Sequence, residues 1–411
     1  MTVLTGGRVV TPCGVLDPGW VEVAGARIVA TGRGSPPAGA PRRHDLDGSW
    51  LLPGFVDLHM HGGGGHSVTE SEAGMAAAVA FHRTQGTTRT LVSALTAPLD
   101  QMCAVAGWAA ALARRGRGAG GHVVGSHLEG PFLSELRCGA QDPHALRRPD
   151  PSVLRRLLAA GAGTVRVMTV APELPGGLDL VRQLAAAGVL AAIEHTDAGY
   201  AEAAAAIEGG ARLLTHTFNA MRGLGHRDPG PVAAAVERPD VVFELINDGE
   251  HVHDPMVRLL FALAPDRVAL VTDAMAAAGA GDGEYRLGAR RVHVRGGRSV
   301  LAGEPAMSTV GEPAMSTVGG TAMSAAGGTA MSTTGGTAIA GSTLTMAGAV
   351  RRAVTEVGLP IQRVAAAASQ VPASLLDVHC GRIQAGYDAD LVVLDNELRV
   401  TAVMADGKWC R

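Results

Sequence analysis

Aromatic residues make up only 3% of this 411-residue chain, so a large core has to be assembled from Ala, Val and Leu. Cysteine is scarce as well. Cys13, Cys103, Cys138, Cys380 and Cys410 are odd in number and never closely paired, which fits a reduced cytosol better than a disulfide framework. No stretch approaches the ~18–20 unbroken apolar residues that a membrane span needs. The opening MTVLTGGRVVTPCG lacks the basic-then-apolar order of a signal peptide. No basic block interleaves with aromatics and the net charge is −3, so nucleic-acid binding is disfavoured. These absences predict a cytoplasmic protein with neither nucleic acid nor membrane as a partner. Lysine is almost missing: of 35 basic residues only Lys408 is one.

What is present is a hydrophobic fraction of 47% against 18% charged, enough for one large domain and a smaller companion. The first fifty residues read as short strands (8–10, 20–23 and 27–30) separated by Gly, Pro and Asp turns. Segments 390–395 and 400–404 read the same way. Between them, Ala/Leu-rich helical runs alternate with short apolar strands, as in 75–85 then 90–94, and 177–187 then 190–194. The predicted class is therefore α/β. A (β/α)8 TIM-type barrel is expected over residues 51–377, with a small β-sandwich domain formed by residues 1–50 and 378–411. Residues 303–342 hold five tandem octapeptides, from GEPAMSTV to GGTAIAGS. They lack a regular bulky position to stack, and the stretch 303–338 reads as a low-complexity surface insertion. A helix is expected to begin at about 342–346.

Polar residues stand at the ends of at least five successive predicted strands: His59 and His61, Glu129, His195, His216 and Asp273. A closed barrel would bring such ends to one mouth. In LLPGFVDLHMHGGGG, His59 and His61 are two apart on a strand and share a face, so both imidazoles can reach one ion. The four glycines after them would let the backbone pass close to a ligand. Each remaining residue has a plainer reading alone: Glu129 as a turn carboxylate, His195 and His216 as packed histidines, Asp273 as a helix cap. Together they make a His₂-carboxylate set with positions left for water, and Asp273 beside it can take and return a proton.

The motifs HLEGPFL, GAQDP, HTDA, THTFNAM, HRDPG, NDGEHVH, VTDAMAAAG and IAGSTLTM, in that order, resemble the N-acetylglucosamine-6-phosphate deacetylase family of the amidohydrolase superfamily. Many superfamily members bridge two metals with a carboxylated lysine, which this chain cannot supply; Glu129 is the candidate bridge. The resemblance implies Glu129, His195 and His216 as the main metal ligands and Asp273 as general base and acid at the metal. His59 and His61 match branches that bind a second ion. His251 would contact the sugar and polarise the acetyl carbonyl. Phosphate would be held by the Asn219 and Ala220 amides and by Arg227 from a second subunit, which implies a homodimer. The implied cofactor is one or two divalent ions, Zn²⁺ first, with Fe²⁺, Co²⁺ or Mn²⁺ also suited to the donors. The implied substrate is a phosphorylated N-acetyl amino sugar, split into acetate and glucosamine 6-phosphate.

Three features depart from that pattern. Gln141 stands where the family usually has a substrate-contacting histidine, Cys138 lies in the same loop, and the octapeptides precede a segment near the family's active site. Rival readings are an N-acetylgalactosamine 6-phosphate deacetylase, a cyclic amidohydrolase of the dihydroorotase or hydantoinase kind, and a non-catalytic metal-binding barrel. The shortage of lysine argues against the cyclic-amide enzymes that need a bridging carbamate.

Overall fold

The computed structural model describes residues 1–37, 42–115, 123–302 and 338–410. The expectation that the octapeptides form a surface insertion falls on residues 303–337, outside the described residues. Eight parallel strands form one sheet in chain order: β1 (Phe55–Asp57), β2 (Thr87–Ala94), β3 (Val123–Phe132), β4 (Val165–Val170), β5 (Leu190–Ile193), β6 (Ala211–Leu214), β7 (Val242–Ile246) and β8 (Val268–Val271). A helix lies between each strand and the next, for example Glu72–Thr84 after β1, and Met346–Thr355 follows β8. Parallel neighbours need such crossovers, because a short turn can only reverse the chain.

The strands are buried on both faces, as a continuous apolar run such as VALV in β8 requires. One face packs on the helices. On the other, Val56 and Leu58 from the β1 segment share a cluster with Leu91, Val167, Ala192, Leu213, Ile246, Ala269 and Val271. Hydrogen bonds also link the segments at the C-terminal ends of the first and last strands. Asp57 Oδ2 accepts the Thr272 hydroxyl at 2.6 Å, the Asp273 amide donates to the His59 carbonyl at 2.9 Å, and the His61 amide donates to the Ala274 carbonyl at 2.8 Å.

Strands Thr2–Thr11, Gly14–Ala24, Arg27–Arg33 and Trp50–Pro53 share a sheet with Leu391–Leu394, Val400–Ala405 and Lys408–Trp409. The link is antiparallel pairing of Trp50–Pro53 with Leu391–Leu394. Apolar residues from both halves, among them Leu4, Val21, Leu51, Leu391 and Met404, pack into one cluster. A three-stranded antiparallel sheet, Gly283–Leu287, Arg290–Arg295 and Arg298–Leu301, follows β8. The sequence reading did not anticipate it. The expected helix begins at Met346, capped by the Thr345 hydroxyl on the Gly348 amide.

Candidate metal centre

Strands β1, β3, β5, β6 and β8 carry the polar residues, so they are alternate and adjacent strands rather than five in succession. His59 and His61 lie just past β1, Glu129 within β3, and His195, His216 and Asp273 two residues past β5, β6 and β8. These last three are non-glycine residues at positive φ, +43°, +27° and +47°. Such backbone costs about 1–3 kcal/mol and persists only where its surroundings enforce it. Here it turns the chain off the strand end. All six side chains are almost wholly buried.

The imidazoles are oriented from behind. His59 Nδ1 donates to Glu244 Oε2 at 3.3 Å, His61 Nδ1 to the Ser93 carbonyl at 3.0 Å, and His195 Nδ1 to the Arg137 carbonyl at 2.6 Å. A proton on Nδ1 leaves the Nε2 lone pair facing forward, the tautomer that metal-binding histidines use. The forward atoms converge on Glu129. Its Oε1 is 3.1 Å from His195 Nε2 and 3.8 Å from His216 Nε2; its Oε2 is 3.3 Å from His61 Nε2 and 3.8 Å from His59 Nε2. Each oxygen of one carboxylate thus faces its own pair of histidines. Asp273 Oδ1 stands 3.1 Å from His61 Nε2 and 3.6 Å from His59 Nε2.

This arrangement fits divalent cations. Two donor groups result, one of Glu129, Glu194, His195 and His216, the other of His59, His61 and Glu129, with the donor atoms of each within 4.8 Å of one another. The Nε2 atoms of His59 and His61 are 3.0 Å apart, close enough for both to bind one cation. Glu129 Oε2 and Glu194 Oε1 are buried with no hydrogen-bond partner among the described residues, which is costly unless an ion pairs them. The charges reinforce one another. Burial opposes ionisation of Asp273, yet His59 and His61 hold its carboxyl down to about 2. Burial likewise opposes charge on His59, but Asp273, Glu129 and Glu244 outweigh it and raise its pKa.

Sequence reasoning missed two buried carboxylates. Glu194 and Glu244 are fully buried beside the histidines. Their signal was a charged residue inside an apolar run, in LAAIEH and VVFELI. His127, also missed, is neutral: burial pushes its pKa well below the ordinary value, and its Nε2 meets Thr169 Oγ1 at 3.0 Å.

A cavity of about 500 Å³ opens over the centre, lined by His61, Glu129, His195, His216 and Asp273 and, further out, by Gln141, Asn219, Ala220 and His251. His251 Nδ1 donates to Asp248 Oδ2 at 2.7 Å, which fixes the ring at the cavity wall. Gln141 is buried there, with Oε1 accepting the Thr96 amide at 2.8 Å. Cys138 lines the cavity but joins neither donor group. Arg227 is exposed and does not line its own chain's cavity.

The glycine run behaves differently from expectation. Gly62 and Gly63 pair with Ser67 and His66 in a hairpin turned at Gly64 and Gly65, whose φ values are +61° and +86°. A Cβ on Gly62 would sit 2.5 Å from the His66 carbonyl oxygen, and one on Gly63 2.5 Å from His82 Nε2. Gly62 and Gly63 serve close packing, and none of the four glycines lines the cavity.

Residues 50–410 match the amidohydrolase family. The chain is 33% identical to the N-acetylgalactosamine-6-phosphate deacetylase of Escherichia coli O157:H7, over 99% of this chain and 98% of that protein. It is 31% identical to the N-acetylglucosamine-6-phosphate deacetylase of Homo sapiens, over 90% of this chain and 85% of that one. Among solved structures, an aspartate-to-alanine variant of the N-acetyl-D-glucosamine-6-phosphate deacetylase from Mycobacterium smegmatis, in complex with N-acetyl-D-glucosamine-6-phosphate, is 40% identical. It superposes with a TM-score of 0.87 over 99% of this chain and 98% of that one. Four inward-facing imidazoles around one carboxylate, the strand order that carries them and these likenesses along the whole chain agree: the chain belongs to the amidohydrolase family.

Proposed function

We propose that the chain hydrolyses N-acetyl-D-glucosamine 6-phosphate to D-glucosamine 6-phosphate and acetate. The observation that carries this reading is the convergence of Glu129, His195, His216, His59 and His61 with Asp273 at the floor of a cavity of about 500 Å³. The 40% identical structure with its bound N-acetyl-D-glucosamine-6-phosphate supports the substrate. The eight strands close into a (β/α)8 barrel over residues 51–377, supported by the hydrogen bonds from Asp273 to His59 and from His61 to Ala274. The termini, 1–50 and 378–411, form a companion β-sandwich, supported by the apolar cluster they share.

A divalent ion, Zn²⁺ by preference for this nitrogen and oxygen donor set, supplies polarisation of the acetyl carbonyl and a lowered pKa for water. Glu129, His195 and His216 hold it; His59 and His61 serve a second. Asp273, a carboxylate at neutral pH, takes the proton of the attacking water and returns it to the departing amine. His251, oriented by Asp248, points at the acetyl oxygen and stabilises its developing charge. The amides of Asn219 and Ala220 hold the phosphate with Arg227 of a second subunit, whose guanidinium matches phosphate geometry. Gln141, braced on Thr96, contacts the sugar by hydrogen bonding. The enzyme acts as a homodimer in the cytoplasm.

A second reading has one observation in its favour, the likeness to an N-acetylgalactosamine-6-phosphate deacetylase along nearly the full chain. The two sugars differ at one hydroxyl. Acetate release from both sugar phosphates, and from unphosphorylated N-acetylglucosamine, separates the readings. The glucosamine phosphate is expected to give the higher kcat/KM, and chelator treatment to abolish turnover until metal returns. A preference for the galactosamine phosphate would establish the second reading. Release unaffected by complete metal removal would contradict both.

A further inference from the structure

Glu194 has no part in the chemistry above, yet it sits inside the metal centre. It follows the last residue of β5 and directly precedes His195. The side chain is fully buried. Its Oε1 lies 2.7 Å from His216 Nε2 and 3.6 Å from His195 Nε2. Its Oε2 is tied off, accepting the Thr169 hydroxyl at 2.5 Å with His127 Nε2 at 3.7 Å. That anchor fixes the carboxylate and leaves Oε1 aimed at the space between the two imidazoles, where it has no hydrogen-bond partner among the described residues.

We propose that Glu194 is a fourth protein ligand to the ion held by Glu129, His195 and His216. The inference rests on the metal-dependent hydrolase reading and deepens it. Two arguments carry it. First, Glu129 and Glu194 bring two buried carboxylates within 4.8 Å of the same pair of imidazoles. Buried like charges are tolerated when a cation lies between them and costly otherwise. Second, the Thr169 anchor holds Glu194 Oε1 2.7 Å from His216 Nε2 and 3.6 Å from His195 Nε2, the same two imidazole nitrogens that Glu129 Oε1 faces at 3.8 and 3.1 Å. The other side has His59, His61 and Glu129 Oε2 as its donor group, with Asp273 Oδ1 3.1 Å from His61 Nε2 to receive a proton.

The test uses the full chain, stripped with chelator and titrated with Co²⁺ while its visible absorption is followed. Four-coordinate Co²⁺ absorbs strongly, and the bands weaken when water raises the coordination number. Wild-type protein is expected to take up two Co²⁺ per chain, the tighter one with strong four-coordinate bands. In Glu194→Gln those bands should weaken and the affinity of that ion should fall by more than about tenfold, since losing even an outer-layer partner of a ligand costs 10–100-fold. Unchanged bands and affinity would overturn the proposal. Weaker binding with unchanged bands would overturn it too, because Glu194 would then only position His216. If Glu194→Gln does not fold, Glu194→Asp, which withdraws the oxygen by one methylene, carries the same test with the same expected loss. Wild-type protein that binds no Co²⁺ would bring down the metal reading itself. Acetate release measured on the same samples reports separately on the substrate.

Discussion

His82 is a single side chain whose protonation state is written into its surroundings. It lies on the helix Glu72–Thr84 and donates from Nε2 to the Gly62 carbonyl at 2.8 Å, behind the His59–His61 segment. Its Nδ1 is buried with no partner among the described residues, and burial lowers its pKa from 6.5 to about 4. Between those values the unfolded chain binds a proton that the folded chain refuses, so stability rises with pH across this window and is lost as pH falls through it. The shift corresponds to about 3 kcal/mol. Urea unfolding at pH 4.5 and 7 should show that slope in wild type and a flatter one in His82→Gln; identical slopes would contradict it. At this scale the sequence was uneven in what it disclosed. His59, His61, Glu129, His195, His216 and Asp273 were legible because each follows an apolar run that had to be a strand. Glu194 and Glu244 were not, because a carboxylate inside such a run looks like an interruption until its histidine partner is known. Asp248 stood in a recognised motif, but only the fold reveals that it orients His251.

Between elements, the junction of the parallel sheet with the terminal sheet is ionic. Arg89, on β2, is buried and reaches Asp390 at 2.9 Å, Asp406 at 3.0 Å and Asp388 at 3.3 Å. Burial raises the Asp390 carboxyl to about 6 even with Arg89 beside it. Replacing Arg89 with Met would strand buried carboxylates, and breaking such a network costs about 3–5 kcal/mol. An acid whose pKa is raised on folding favours the folded state at low pH and loses that advantage as it ionises. The loss in Arg89→Met should therefore grow as pH rises past 6, which denaturant titrations at pH 5 and 8 would detect. A loss below 1 kcal/mol, or one that shrinks with pH, would refute the assignment. Strands at both termini were legible from turn residues flanking short apolar runs. Arg89 was not, since one arginine in TTRTLVSA says nothing of three aspartates some 300 positions away. The sheet Gly283–Leu301 was missed although Val292 and Val294 alternate with exposed Arg291, His293 and Arg295, an ordinary strand pattern that was overlooked.

For the whole molecule, Arg227 is the residue proposed to link site to assembly. It is exposed and does not line its own chain's cavity, which agrees with the proposal that it serves a second subunit. Arg227→Ala should raise KM for the phosphorylated substrate at least tenfold with kcat little changed. Mixing it with Asp273→Asn subunits should restore one site per mixed dimer, combining an intact Asp273 with a partner's intact guanidinium. No recovery in samples shown by light scattering to be mixed dimers would contradict the shared site.

The central claim is that the buried histidines and acids form a working hydrolytic centre in which Asp273 moves the proton. It is tested most directly by acetate release from N-acetyl-D-glucosamine 6-phosphate in Asp273→Asn, with metal content matched to wild type. Loss of general acid–base assistance predicts a fall of about 10²–10⁴-fold in kcat with the ions retained. A rate equal to wild type at the same metal content would contradict the account.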